Sequence, residues 1–225
     1  MQSDFSQNRL EILQKIATTA KEAGRNPDDI TLVAVSKTQT PEKLDEALSD
    51  GQKIFGENRV QEAYSHWGER DCSDLELRLI GPLQTNKSDE AVKLFDVIET
   101  LDREHLCASL QKSIQKIGKA PKILMQINIG NEEQKAGVAI NEFPRLLDLA
   151  REHYRLEVTG LMCIPPAELP PAPYFALLQK LAKTHDLKTL SMGMSSDFET
   201  AIKFGATHVR VGTALFGARN YQSNL

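Results

Sequence analysis

The sequence predicts a single (β/α)8 barrel of the TIM type carrying an extra N-terminal helix. Eight short, β-branched or apolar runs alternate with stretches of helical periodicity across 225 residues, close to the ~250 residues that eight β/α units usually occupy. Chemically distinctive residues also fall at the C-terminal end of several runs, and in a closed barrel those ends share one rim. An open doubly wound sheet is the alternative arrangement.

The elements follow in order. From Leu10 the apolar positions Leu13, Ile16, Ala17 and Ala20 recur at helical spacing, and Gly24 stands where a helix would stop. ITLVAVSK at 30–37 is the first strand, and Thr40 and Pro41 suit the cap and first turn of a helix bearing Leu44, Ala47 and Leu48. The same unit recurs at 54–55, 75–81 and 97–101. Further strands are expected at 122–130, 157–164, 190–194 and 208–212, with helices around 143–153, 175–185 and 197–204. The proline-rich stretch 165–173 reads as the loop after the sixth strand, so residues 1–225 are expected to form one domain.

Composition narrows the function. Lys plus Arg number 27 against 31 Asp plus Glu, a net charge of -4, which gives no electrostatic reason to expect a nucleic-acid or membrane-surface partner. No apolar stretch approaches the ~18 residues of a membrane span. Cys72, Cys107 and Cys163 are odd in number and widely spaced, unlike a disulfide framework or a zinc site. The first residues lack both an apolar signal core and an acid-poor transit pattern, so a cytoplasmic protein is expected by elimination.

Lys37 closes the first strand on the same face as Val33 and Val35, which points it into the barrel mouth. A desolvated lysine loses part of its preference for charge, and its free amine can form a Schiff base with a carbonyl; a strand-end lysine reaching solvent is the plainer alternative. Gly193, Met194, Ser195, Ser196 and Asp197 lead from strand seven into a helix, and Gly212 and Thr213 follow strand eight. Glycines that let backbone N–H groups approach, together with hydroxyl donors, suit a phosphate, and barrels often place a phosphate there; the serines are equally suited to capping a helix. Arg210 shares the inward face of strand eight with Gly212, either beneath a ligand or paired with a carboxylate. Asn58, in GENR, is a ligand contact or a helix cap. His66, His105, His153, His185 and His208 are scattered and read as core or surface residues, and no metal site is expected. Met125, Met162, Met192 and Met194 read as strand packing, the last two close enough to border a ring.

An imine-forming lysine, a phosphate cradle and an Arg on the last strand together suit pyridoxal 5'-phosphate, which needs an amine for its aldehyde and donors for its dianion. AVSKT at 34–38, FGENRVQE at 55–62, IGPLQTNK at 80–87, GLMCIPP at 160–166, SMGMSSD at 191–197 and VRVGTALFGAR at 209–219 stand in one order along the chain. That series resembles the pyridoxal phosphate homeostasis (YggS/PROSC) family. The resemblance implies a fold similar to the barrel domain of alanine racemase, with Lys37 as the Schiff-base lysine. It implies Ser195, Ser196, Gly212 and Thr213 at the phosphate, Arg210 at the pyridine nitrogen and Asn58 beside the ring. Lys135 in QKAGV matches a family lysine on a mobile loop near the mouth. The third strand departs from the family: LRLIGPLQ at 77–84 stands where W-H-F-I-G-H-L-Q is frequent, so Arg78 and Pro82 replace two histidines.

Racemases resembling this barrel take a second proton-transfer group, a tyrosine, from an additional β domain, and no source for it is evident in this chain. An Arg at the pyridine nitrogen stays cationic and keeps that nitrogen unprotonated, weakening the ring as an electron sink. The expected function is therefore cofactor binding in vitamin B6 homeostasis and amino-acid and keto-acid balance, as a carrier or buffer with little or no catalysis. The expected partners are the cofactor itself and apoenzymes that accept it, with the chain a monomer. A single-domain racemase-like enzyme and a cofactor-free Schiff-base aldolase are the competing readings.

Overall fold

The computed structural model describes residues 4–217. Eight parallel strands, β1 (Thr31–Val35), β2 (Ile54–Glu57), β3 (Glu76–Leu79), β4 (Val97–Leu101), β5 (Lys122–Ile127), β6 (Val158–Cys163), β7 (Thr189–Ser191) and β8 (His208–Val211), pair in chain order and close into a barrel. Between them run α2 (Pro41–Ser49), α3 (Val60–Trp67), α4 (Ser88–Leu94), α5 (Glu104–Ile117), α6 (Phe143–Asp148), α7 (Ala172–Thr184) and α8 (Phe198–Lys203). They are preceded by α1 (Asp4–Glu22) and followed by the short α9 (Thr213–Phe216). The open-sheet alternative is excluded by the β1–β8 ladder, in which Thr31 pairs with His208 and Val33 with Arg210.

Strand alternation divides the apolar residues between two cores. Outward residues such as Ala34, Phe55, Leu79, Ile98, Met125, Leu161 and Val209 join the helices in the main core. Inside the ring, Val97, Leu124 and Met162 make a separate small cluster with Ile164 against it. The extra helix α1 buries Phe5, Ile12, Ile16 and Ala20 against α8 and α9, with the Phe5 and Phe216 rings 5.0 Å apart. It lies over the place where the first and last strands meet.

Most strands stop earlier than periodicity suggests. The run 122–130 ends as β5 at Ile127, because Val138 folds back and its carbonyl accepts from Asn128 N–H at 3.0 Å. Helix 175–185 begins earlier, at Ala172, since a proline is tolerated in a first turn. Beyond α6 the chain widens into a π turn over Leu149–His153, closed by Tyr154 N–H to the Leu149 carbonyl at 3.0 Å. An α-helical pattern at 143–153 does not anticipate that change of pitch.

Gly160 fixes the β6–β7 contact: a Cβ there would lie 2.1 Å from the Thr189 carbonyl oxygen, which is backbone and has nowhere to retreat. Gly160→Ala is expected to lower stability by about 1–3 kcal/mol, read as a shift in the urea unfolding midpoint at unchanged slope.

Candidate functional site

The C-terminal ends of the strands surround a cavity of about 530 Å³. All seven residues singled out for a ligand line it: Lys37 after β1, Asn58 after β2, Ser195 and Ser196 after β7, Arg210 on β8, and Gly212 and Thr213 beyond it. Lys37 is half-buried, and Val35, two residues before it, lines the same wall, as alternation requires. Lys37 is thus neither enclosed in the core nor fully out in solvent.

The alternatives left open by sequence resolve as follows. Asn58 is not the cap of α3; Arg59 occupies that position, and Asn58 forms part of the cavity wall. Ser195 and Ser196 are not caps either. Asp197 stands at the start of α8, its carboxylate accepting from Met194 N–H at 2.6 Å, and the two serines are left facing the cavity. The turn depends on Gly193, at φ +93, where a Cβ would come within 2.6 Å of the Ala201 methyl. Thr213 opens the first turn of α9.

Arg210 proves to be both a cavity residue and a member of a charged network. Its Nη1 donates to Ser191 Oγ at 2.8 Å and its Nη2 to the Cys163 carbonyl at 3.0 Å. Ser191 Oγ donates in turn to Glu99 Oε2 at 2.5 Å, while Arg78 Nε donates to Glu99 Oε1 at 2.6 Å. Arg78 also meets Glu76 at 2.5 Å. Glu99 is fully buried, and burial pushes its carboxyl upward, but the Arg78 and Arg210 guanidiniums outweigh that and hold it below the ordinary value. His208 is pushed down to about 4, first by burial and then by Arg78, so its imidazole is neutral at pH 7. Beneath the cavity the barrel interior therefore holds one carboxylate between two guanidiniums, of which Arg210 forms part of the cavity floor. Pro82, the other departure in the third-strand segment, lines the cavity.

Lys135 also reaches the cavity, from the loop after β5. It pairs with Glu132 at 2.6 Å and donates to the Pro165 carbonyl at 3.2 Å. Sequence reasoning passed over Gln126, which lines the cavity and donates to the Ala136 carbonyl at 3.2 Å, and Glu99 and Ser191, which are buried behind Arg210. A signal existed for Glu99: a carboxylate inside the apolar run VIETL needs a buried partner. Of the histidines, His66 is the exception to a bland reading, because its Nδ1 lies 2.8 Å from the buried Glu57 carboxylate. Burial pushes the Cys107 and Cys163 thiols up to about 12, which makes them poor nucleophiles. Among the described residues no group of three His, Cys, Asp or Glu is placed to hold a metal ion, and no helix is long and apolar enough to cross a membrane.

Comparison with known proteins supplies the family. Residues 11–220 match the alanine racemase N-terminal domain. The chain is 40% identical to the pyridoxal phosphate homeostasis protein of Escherichia coli strain K12, over 97% of this chain and 98% of that one. The chain belongs to the pyridoxal phosphate homeostasis protein family. A homeostasis protein of Aquifex aeolicus is 39% identical over 93% of this chain and 96% of its own. The solved structure of PipY from Synechococcus elongatus with pyridoxal phosphate bound superposes with a TM-score of 0.78 at 36% identity, covering 90% of this chain and all of PipY. An alanine racemase from Clostridium difficile shares the fold alone, with a TM-score of 0.69 at 12% identity; the match covers 95% of this chain and 58% of the racemase. Members of the homeostasis family are thus named for a cofactor economy, not for a reaction.

Two consequences of the floor are measurable. Glu99→Gln leaves two buried guanidiniums without their shared charge and is expected to cost about 3–5 kcal/mol in urea unfolding. For His208 the sign is fixed by its depressed value: the unfolded imidazole takes up a proton near pH 6.5 that the folded one refuses until about pH 4. Its stabilising contribution is therefore complete above about pH 6.5 and is lost as pH falls toward 4, and His208→Gln should flatten that part of the stability profile.

Proposed function

We propose that this protein binds pyridoxal 5'-phosphate as a Schiff base on Lys37 and acts in vitamin B6 homeostasis. It is a carrier or buffer, with little or no catalysis of its own, and it influences amino-acid and keto-acid balance indirectly. The observation that carries the reading is the convergence of a lysine, two hydroxyl- and glycine-bearing loops and a buried arginine on one cavity. The 36% identical PipY, solved with the cofactor, supports it.

The residues present fit the group. Lining one cavity, Lys37 would supply the amine, Ser195, Ser196, Gly212 and Thr213 would supply donors for a phosphate, Arg210 would face the pyridine nitrogen and Asn58 would border the ring. When bound, the cofactor supplies an aldehyde for the lysine and a ring able to delocalise electrons. This chain restrains the second property. Arg210 is held in place by Ser191 and the Cys163 carbonyl, and as a permanent cation it does not give a proton to a ring nitrogen. Among the described residues lining the cavity, the ionisable side chains are Lys37, Lys135 and Arg210, so no tyrosine, histidine or cysteine stands ready as a second proton carrier. We take the whole chain as a single cofactor-binding domain, a cytoplasmic monomer that hands its cofactor to apoenzymes.

The test is loading with pyridoxal phosphate, reduction by borohydride and peptide mass spectrometry, followed by exchange of amino-acid Cα hydrogens in deuterated water. A yellow protein that bleaches and carries the pyridoxyl phosphate mass on Lys37, with no adduct at that position in Lys37→Ala, is expected. Exchange is expected far below about 1 per second, the lower end of ordinary turnover. Protein that stays colourless and unmodified would overturn the reading, and exchange at enzymatic rates would replace the carrier with a racemase-like enzyme.

A further inference from the structure

The segment that carries Lys37 is held from one side by β2 and α3. Ser36, immediately before the lysine, donates its hydroxyl to Glu57 Oε1 at 2.7 Å. Thr38, immediately after it, donates its backbone N–H to Glu62 Oε1 at 2.5 Å. The Gln39 backbone lies against the His66 ring and favours its protonated form. Thr38 also sits at φ +62, a left-handed conformation that a β-branched residue adopts only when its surroundings impose it.

Glu57 is the hub. It lies fully buried on the outward face of β2, and its Oε1 accepts from Ser36, from His66 Nδ1 at 2.8 Å and from Trp67 Nε1 at 3.0 Å. Its Oε2 is buried with no hydrogen-bond partner among the described residues. A buried carboxylate in that position needs a cation beside it, and the side chain in ion-pair contact with it is His66. The mouth described above uses neither residue.

We propose that Glu57 and His66 are positioning residues for Lys37: the pair clamps the strained 36–39 segment onto α3 and so sets where the lysine stands in the cavity. The consequence for cofactor loading rests on Lys37 being the anchor; the clamp itself does not. The hydrogen bond to Glu57 raises the proton affinity of His66, with burial opposing it and Glu62 adding to it. The charged groups facing the ring are Glu57 from β2 and Glu62 from α3, and the β1–α2 loop presents the Gln39 backbone. Arg70, one turn on, is committed to the His66 carbonyl and to Asp45 of α2. The sign follows. Below about pH 6.5 the ring is charged and the clamp complete; as pH rises through the raised value, the ring loses its charge and one of its two N–H donors, the ion pair with Glu57 is reduced to a hydrogen bond from a neutral imidazole, and the segment loosens.

The test uses His66→Ala, His66→Gln and Ser36→Ala, with two readouts. The first is amide hydrogen exchange of the 36–40 segment in cofactor-free protein from pH 5.5 to 8.5, corrected for intrinsic rates. The second is the rate of borohydride-trapped loading at Lys37 over the same range. In wild type, segment exchange should climb as pH passes about 6.5 and above. His66→Ala should raise it about tenfold at low pH and slow loading, while His66→Gln recovers part of both and lacks the pH-dependent rise. Ser36→Ala removes one contact from the lysine's own side and should loosen the segment even if the His66 variants fail to fold. Wild-type exchange and loading profiles in all folded variants would overturn the clamp. Failure of wild type to load at Lys37 would instead overturn the proposed function, and the exchange readout would still decide the clamp.

Discussion

The parallel ladder between β1 and β8 is the contact on which the site depends, because it brings together parts of the chain separated by most of its length. With Val33 opposite Arg210 and Ala34 opposite Val211, the segment that follows β1 and the turn that follows β8 open onto the same cavity. Lys37 therefore stands beside Gly212 and Thr213 only because the ring is closed. The helix α1 reinforces this closure: Asn8 donates to the Leu215 carbonyl at 3.0 Å, and Arg9 reaches Gln52 at 3.1 Å and Asp50 at 3.2 Å. It ties the last helix to the loop before β2. An extra helix that looks decorative in sequence lies on the seam in the fold.

Inside the ring, this barrel departs from the branched apolar layers that usually fill one. Arg78, Glu99, Ser191 and Arg210 take up part of the interior, and the apolar cluster of Val97, Leu124 and Met162 is correspondingly small. Burying charge is tolerable here because the carboxylate oxygens of Glu99 are committed one to Arg78 and one to Ser191, and the latter connects to Arg210. The return for that arrangement is a cavity floor whose cation cannot swing away. A fixed cation below, hydroxyls on one side and a lysine on another make a good holder for a flat, phosphorylated aldehyde. They make a poor set of tools for moving protons on both of its faces, and that contrast is what supports the proposal of a carrier.

Much of this was legible in sequence, for reasons that can be named. Strand alternation aims Lys37 and Arg210 at the mouth, and β-branched or apolar runs place all eight strands. Periodicity runs past most strand ends because residues such as Asn128 and Gly130 continue a plausible pattern beyond the point where the ladder stops. The serine turn was ambiguous: Ser-Ser-Asp before a helix is compatible with capping or with a ligand, and only the placement of Asp197 assigns the serines to the cavity. The floor and the clamp were harder still. Glu99 meets Ser191 across the interior, a pairing that exists only in the closed barrel, and Glu57 meets Ser36 between the neighbouring strands β1 and β2, a pairing set by their register. Charged residues inside apolar runs advertise that a partner exists without saying which.

A crystal structure of the protein grown with pyridoxal 5'-phosphate tests the central claim most directly. The account predicts density continuous with Lys37 Nζ, a phosphate against Ser195, Ser196, Gly212 and Thr213, and the ring nitrogen facing Arg210. Density joined to Lys135, or a cofactor whose phosphate lies away from the β7 and β8 loops, would contradict it.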